Sequence, residues 1–124
     1  VISESRNKGP IPYATTILKR RRYLPDLRSS EIWKRSRAER QAFNTVIQGS
    51  AADLIKVAMV RAYAMIPSEA NLILTVHDEL VTVAPDHLVE ETAEAIRLAM
   101  EGIDVLKVPL LADVKIVKRW GEAK

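Results

Sequence analysis

The sequence predicts an α+β fold, a small antiparallel sheet with packed helices on one face. Three observations carry this. Residues 72–83 are two apolar, β-branched runs around the polar trio His77-Asp78-Glu79, the pattern of a hairpin. Residues 51–66 and 86–101 hold apolar side chains at helical spacing. The order of elements is strand, helix, helix, hairpin, helix, strand.

Residues 1–12 are polar and contain Gly9, Pro10 and Pro12, as expected for the tail of one element followed by a loop. Residues 13–18 form a short strand by β-branched content. The basic run Lys19-Arg20-Arg21-Arg22 follows, and Pro25 ends regular pairing. Ser29-Ser30 and the mixed charges around Trp33 read as a flexible or locally helical linker. Ser36 can cap a helix, with Glu39 completing a capping box. That helix runs to Gln48, where Gly49-Ser50 interrupts it. The helix over 51–66 is apolar almost all round, so burial on most sides is expected, and it stops before Pro67.

Each strand of the 72–83 hairpin is nearly continuous apolar sequence, which predicts cover on both faces. Pro85 opens the next helix over 86–101. Leu88, Thr92, Ala95, Ile96, Ala99 and Ile103 make its apolar stripe, and Gly102 stops it. Residues 110–117 read as a last strand, between Pro109 and Trp120. A shared core of Leu54, Ile55, Ala58, Leu74, Val76, Val81, Val83, Ile96 and Val114 follows, with Val76→Asp expected to unfold it.

The 124 residues suffice for one domain with a core, at 48% hydrophobic content and mean hydropathy near zero. No run of about 18 apolar residues exists to span a membrane, and no apolar export signal opens the chain, so a cytoplasmic location is expected. The absence of cysteine excludes disulfides, thiolate metal sites and cysteine nucleophiles. Net charge is +3, unevenly placed. Nine basic residues face three acidic ones between Lys19 and Arg40, whereas residues 86–101 carry five acids and one arginine. A polyanion on one side only suits that asymmetry, although a single charge cluster is more often a solvated face.

Arg40, Asn44 and Gln48 recur every four residues and share one helix face. All three donate N–H groups. Such a row can follow the minor groove, where acceptors occur at every base pair, and sense duplex shape without reading sequence. A polar stripe facing solvent is the competing reading. The basic run suits phosphate contact through Arg21 and Arg22, or else protects an edge strand by charge. Asp78 and Glu79 at a hairpin tip can meet a hard cation such as Mg²⁺, with Asp78 as ligand and Glu79 as second ligand or support. His77 can donate to a phosphate or sugar. Acids also occur in plain turns, where Asp bonds its own backbone. A serine hydrolase lacks its nucleophile elbow here, and His87 is the only other histidine for a metal phosphohydrolase.

Three blocks, Arg21-Arg22-Tyr23-Leu24-Pro25-Asp26-Leu27, Glu39 to Asn44 with Gln48 to Leu54, and Val76-His77-Asp78-Glu79-Leu80, strongly resemble the family A DNA polymerases, in order and approximate spacing. The resemblance runs over nearly the whole chain, residues 15–120. It implies the C-terminal part of the polymerase palm, with residues 1–35 as a connecting segment and 36–124 as the palm portion. It implies template-directed nucleotide addition, with Asp78 and Glu79 as catalytic residues, Asp78 binding Mg²⁺ in a two-metal site, and His77 near the primer terminus. Arg40, Asn44 and Gln48 would lie along the primer–template minor groove. Partners would be primer–template DNA, deoxynucleoside triphosphates and the remaining polymerase polypeptide, without which the chain would be inactive. The family's other catalytic Asp motif and its nucleotide-gripping fingers helix do not occur in these 124 residues. Lys19 replaces the glycine the family places before the arginines, and Ile11-Pro12 departs from its pattern. The alternative is a duplex nucleic-acid-binding module with a palm-like fold and no catalysis.

Overall fold

The computed structural model describes residues 1–123, which fall in two compact units, 1–53 and 54–123. The first holds α1 (Ile2–Asn7), β1 (Tyr13–Thr15), β2 (Arg21–Tyr23), α2 (Ile32–Asn44), a π-helical turn (Thr45–Gly49) and the start of α3 (Ser50–Met65). The second holds the rest of α3, then β3 (Asn71–Val76), β4 (Glu79–Val83) and α4 (Val89–Glu101), with 3₁₀ turns at Asp86–Leu88 and Trp120–Ala123.

In the first unit β1 and β2 pair antiparallel, Tyr13 opposite Tyr23 and Thr15 opposite Arg21. The basic run is therefore half of a hairpin, and all three residues of β2 are exposed. The Lys19 amide donates to the Thr16 carbonyl (3.0 Å) and the Thr16 amide to the Arg20 carbonyl (2.9 Å). Lys19 has φ +68°. A turn closed by one left-handed residue is the usual three-residue hairpin loop, and that position favours glycine. Lys19 carries the strain of a side chain there.

Ala14, Leu24, Leu27, Ala38 and Ala42 form the core of this unit, with Leu27 wholly buried in the 3₁₀ turn Pro25–Arg28. Arg28 donates to the carbonyls of Arg6, Gly9 and Pro10, so the loop after α1 has partners for its backbone. Arg6 pairs with Glu39 at 2.7 Å. α2 begins at Ile32, four residues before the expected Ser36 cap. The Ser36 hydroxyl instead accepts from Arg40 Nη1 at 3.1 Å, and of the two readings of the segment around Trp33, flexible or locally helical, the helical one holds. Nor does Gly49-Ser50 interrupt the chain. The helix passes through the π turn and continues to Met65.

In the second unit β3 and β4 form a hairpin with Val76 opposite Glu79 and a bulge between Leu72 and Leu74. The expected single sheet is thus two separate two-stranded sheets. Residues 110–117, expected as a strand, are irregular. The Ala112 amide donates to the Glu101 carboxylate (3.0 Å), and among the described residues no strand pairs with this run. A β-branched run needs a neighbour's ladder to become a strand. For the same reason the hairpin is not covered on both faces: Ile73, Leu74 and Val83 are exposed. The expected nine-residue core is also corrected. Of its members only Ala58 is buried, and Leu54, Ile55, Val76, Val81, Ile96 and Val114 are half-buried. Nor is α3 buried all round, since Val60 and Tyr63 are more than 70% exposed.

α4 follows its pattern. Thr92, Ala95, Ala99 and Ile103 are buried along the expected stripe, and Gly102 caps the end. Arg61 Nε donates to the Ala99 carbonyl (2.9 Å), satisfying one of the last-turn acceptors.

Two stability effects follow. Leu27→Ala, which empties a fully buried site, should lower the unfolding free energy by about 2–5 kcal/mol in urea titration. Lys19→Gly should raise it by about 0.5–1 kcal/mol, because relief of the left-handed strain exceeds the added freedom of the unfolded chain.

Candidate nucleic-acid interface

Arg40, Asn44 and Gln48 are all exposed on the continuous helix. Spacing of four in an α-helix drifts about 40° per step around the axis. The π turn begins directly after Asn44 and contains Gln48. Its i→i+5 bonding puts more residues in each turn, so it undoes the drift between Asn44 and Gln48. The row is therefore straighter than α-helical geometry alone would make it.

The same turn meets the basic hairpin. Thr16, Arg20, Arg21, Arg22, Thr45, Gln48 and Gly49 surround a cavity of about 290 Å³. The structure thus brings Arg21 and Arg22 beside Gln48, the last of the row. Arg22 Nη1 donates to the Thr45 hydroxyl at 3.4 Å, and that hydroxyl donates to the Gln41 carbonyl at 2.7 Å. Arg21 stacks its guanidinium over the Tyr13 ring at 4.8 Å.

Four contacts hold the hairpin loop to the helix. The Ile17 amide donates to the Ser50 hydroxyl (2.9 Å) and the Leu18 amide to Asp53 Oδ2 (3.4 Å). Arg20 Nε donates to Asp53 Oδ1 (2.9 Å) and Arg20 Nη2 to the Gly49 carbonyl (3.1 Å). Asp53 is only 5% exposed. Burial pushes its carboxyl pKa up. The Thr16 hydroxyl, the Arg20 guanidinium and the Leu18 amide together outweigh that, leaving the carboxyl below its ordinary value. A Cβ on Gly49 would stand 2.7 Å from Thr16 Cγ2, so only glycine permits this approach.

In the other unit His77 and Asp78 form the hairpin turn and Glu79 opens β4, a connection of two residues where three were expected. All three are exposed. His77 has φ +55°. A two-residue hairpin loop wants a positive φ at its first position, where glycine is preferred, and a histidine there is strained. Asp78 thereby projects from a stiff tip with a hard oxygen donor, suited to Mg²⁺. Among the described residues no group of three or more histidines and acids converges to hold a metal. The donors fit part of a magnesium site rather than a whole one.

The chain matches the model of the DNA polymerase family A over residues 1–122. It is 45% identical to DNA polymerase I of Bacillus caldotenax over 127 aligned residues, covering 100% of this chain and 14% of that protein. It is 44% identical to the thermostable DNA polymerase I of Thermus filiformis, covering 99% of this chain and again 14% of the relative. In structure it is similar to the POL domain of Pol1 from M. smegmatis, in complex with DNA primer-template and dNTP. That likeness has a TM-score of 0.78 and 41% identity, over 89% of this chain and 19% of that one. The chain belongs to the family A DNA polymerases, and its α+β fold is similar to part of a polymerase POL domain. It spans roughly a seventh of the length of these relatives. Among the described residues no helix is long and apolar enough to cross a membrane.

Sequence reasoning missed Arg20, Thr45, Ser50 and Asp53 as the parts that join hairpin to helix. One signal was present: Asp53 is the lone acid of α3, at its head, in a largely apolar helix. Because the folded state holds the Asp53 carboxyl below its unfolded pKa, the proton binds the unfolded chain more tightly. The stability this pair contributes is fully present above the unfolded value and is lost as pH falls through the folded one. Chemical denaturation across the acid range should show that loss, and Asp53→Asn should flatten it.

Proposed function

We propose that this chain works as the C-terminal part of a family A DNA-directed DNA polymerase, adding nucleotides to a primer 3′ end. The single observation that carries this is the exposed acidic tip His77-Asp78-Glu79 in a chain that matches the family over residues 1–122. In this reading Asp78 is a magnesium ligand, and Glu79 sits beside it as second ligand or support. His77, fixed by its left-handed backbone, orients the primer terminus. Magnesium, when bound, stabilises the charge that develops on the transferred phosphoryl group and its leaving oxygen. Two-metal chemistry needs a second carboxylate, which in this reading comes from the remaining polymerase polypeptide, along with the grip on the incoming deoxynucleoside triphosphate. The chain alone is therefore inactive.

Arg40, Asn44 and Gln48 lie along the minor groove of the primer–template, donating to base-edge and sugar acceptors that recur at every step. Arg21 and Arg22 contact phosphates. Exposure of all five supports this role, and so does the uneven charge. Replication and repair both use this chemistry, and a cytoplasmic site of action accords with either.

Primer extension with the chain combined with the remainder of a family A polymerase tests the reading. Asp78→Ala should lower kcat by on the order of 10³-fold, the equivalent of several kcal/mol of lost charge stabilisation. Full activity of the Asp78→Ala complex overturns it. Duplex affinity that falls with salt, without extension in any complex, would instead favour the non-catalytic duplex-binding module.

A further inference from the structure

The π turn between Asn44 and Ser50 shifts the backbone pairing of the helix. The Gln41 carbonyl keeps the Thr45 backbone N–H, and side chains bring further donors to the turn. Thr45 Oγ1 donates to the Gln41 carbonyl at 2.7 Å, and Arg20 Nη2 donates to the Gly49 carbonyl at 3.1 Å. Arg20 reaches Gly49 because Asp53 Oδ1 holds its Nε at 2.9 Å. Gly49 permits this because it has no Cβ to strike Thr16.

The Arg20 fork thus touches both sides of a junction. One N–H bonds the π turn and another bonds the first turn of α3, while its own backbone closes the hairpin loop through Thr16. The next two residues in the chain are Arg21 and Arg22. From this geometry we infer that Arg20 and Asp53 are a positioning pair for duplex binding, setting β2 against the π turn so that Arg21, Arg22 and Gln48 present one surface. The inference rests on the duplex-binding reading proposed above and adds residues that themselves touch no nucleic acid.

A pair that only stabilised the fold would lower the melting temperature and leave affinity per folded molecule unchanged. A positioning pair couples to Gln48. Fluorescence anisotropy with a labelled primer–template, on the 124-residue chain well below its unfolding midpoint, separates the two. Asp53→Asn keeps the side chain's shape and an acceptor for Leu18 but removes the charge that holds Arg20. It should weaken duplex affinity about three- to tenfold. Gln48→Ala should weaken it comparably, and the double variant should lose little more than either alone, because a displaced Gln48 has nothing left to lose. Arg20→Lys should reproduce the loss, since a point charge cannot fork to both Asp53 and Gly49.

Amide and side-chain NMR spectra supply the readout that needs no DNA. Asp53→Asn should shift the resonances of Leu18, Gly49, Arg22 and the Gln48 side-chain amide. Unmoved Gln48 and Arg22 signals, or losses from Asp53→Asn and Gln48→Ala that multiply independently, overturn the positioning role. A parent chain with no salt-dependent duplex affinity overturns the duplex-binding reading itself and this inference with it. The parent measurement therefore distinguishes that failure from the other.

Discussion

The constraint on which the interface depends is the hydrogen-bond accounting of one helix. From Ile32 to Met65 the backbone stays helical, but at Thr45–Gly49 it widens by a residue. A buried or half-buried carbonyl without a partner costs about 1–3 kcal/mol. Around this widening the Gln41 carbonyl accepts both the amide and the hydroxyl of Thr45, and the Gly49 carbonyl accepts Arg20 Nη2 from the hairpin. The basic strand is thus tied to the helix by the defect that also straightens the polar row.

Positive φ is found at two non-glycine residues, a lysine, which does not favour it, and a histidine, which adopts it more readily than most. Lys19 (φ +68°) closes the basic hairpin and His77 (φ +55°) opens the acidic turn. Glycine would relieve both. At Lys19 the proposed role uses no side-chain atom, so glycine there would cost it nothing. At His77 a glycine would discard the imidazole that the proposed role requires. Equal backbone angles therefore carry unequal meaning, and the side chain's chemistry separates them.

Much of the architecture was readable in the sequence because its signals are local. The stripe of α4 from Thr92 to Ile103 needs only the helical period, and the 72–83 hairpin needs only β-branched runs around a polar turn. The failures were of another kind. Ser36 is a good cap, yet α2 starts at Ile32, because capping preference is worth about 1 kcal/mol and yields to neighbouring contacts. Gly49-Ser50 looked like a break. It is a glycine required by close approach to Thr16, a long-range fact that no local pattern encodes. Residues 110–117 have strand composition without a strand to pair with. The exposure of Arg40, Asn44, Gln48 and the 77–79 trio was legible because polar groups in apolar or basic settings stand out. Their supports, Arg20 and Asp53, did not, because an ion pair 33 positions apart leaves no trace in spacing.

The exposed apolar residues of the second unit bear on the same point. Ile73, Leu74 and Val83 on the hairpin, and Val60 and Tyr63 on α3, are the kind of side chain that a protein of this composition normally covers. A sequence records burial in the assembly where it was selected, and this chain spans about a seventh of the length of its relatives. The expectation of a hairpin covered on both faces follows from that record, whereas the exposure describes these 124 residues alone. The proposed catalytic site has the same character, since Asp78 brings one carboxylate to chemistry that requires two.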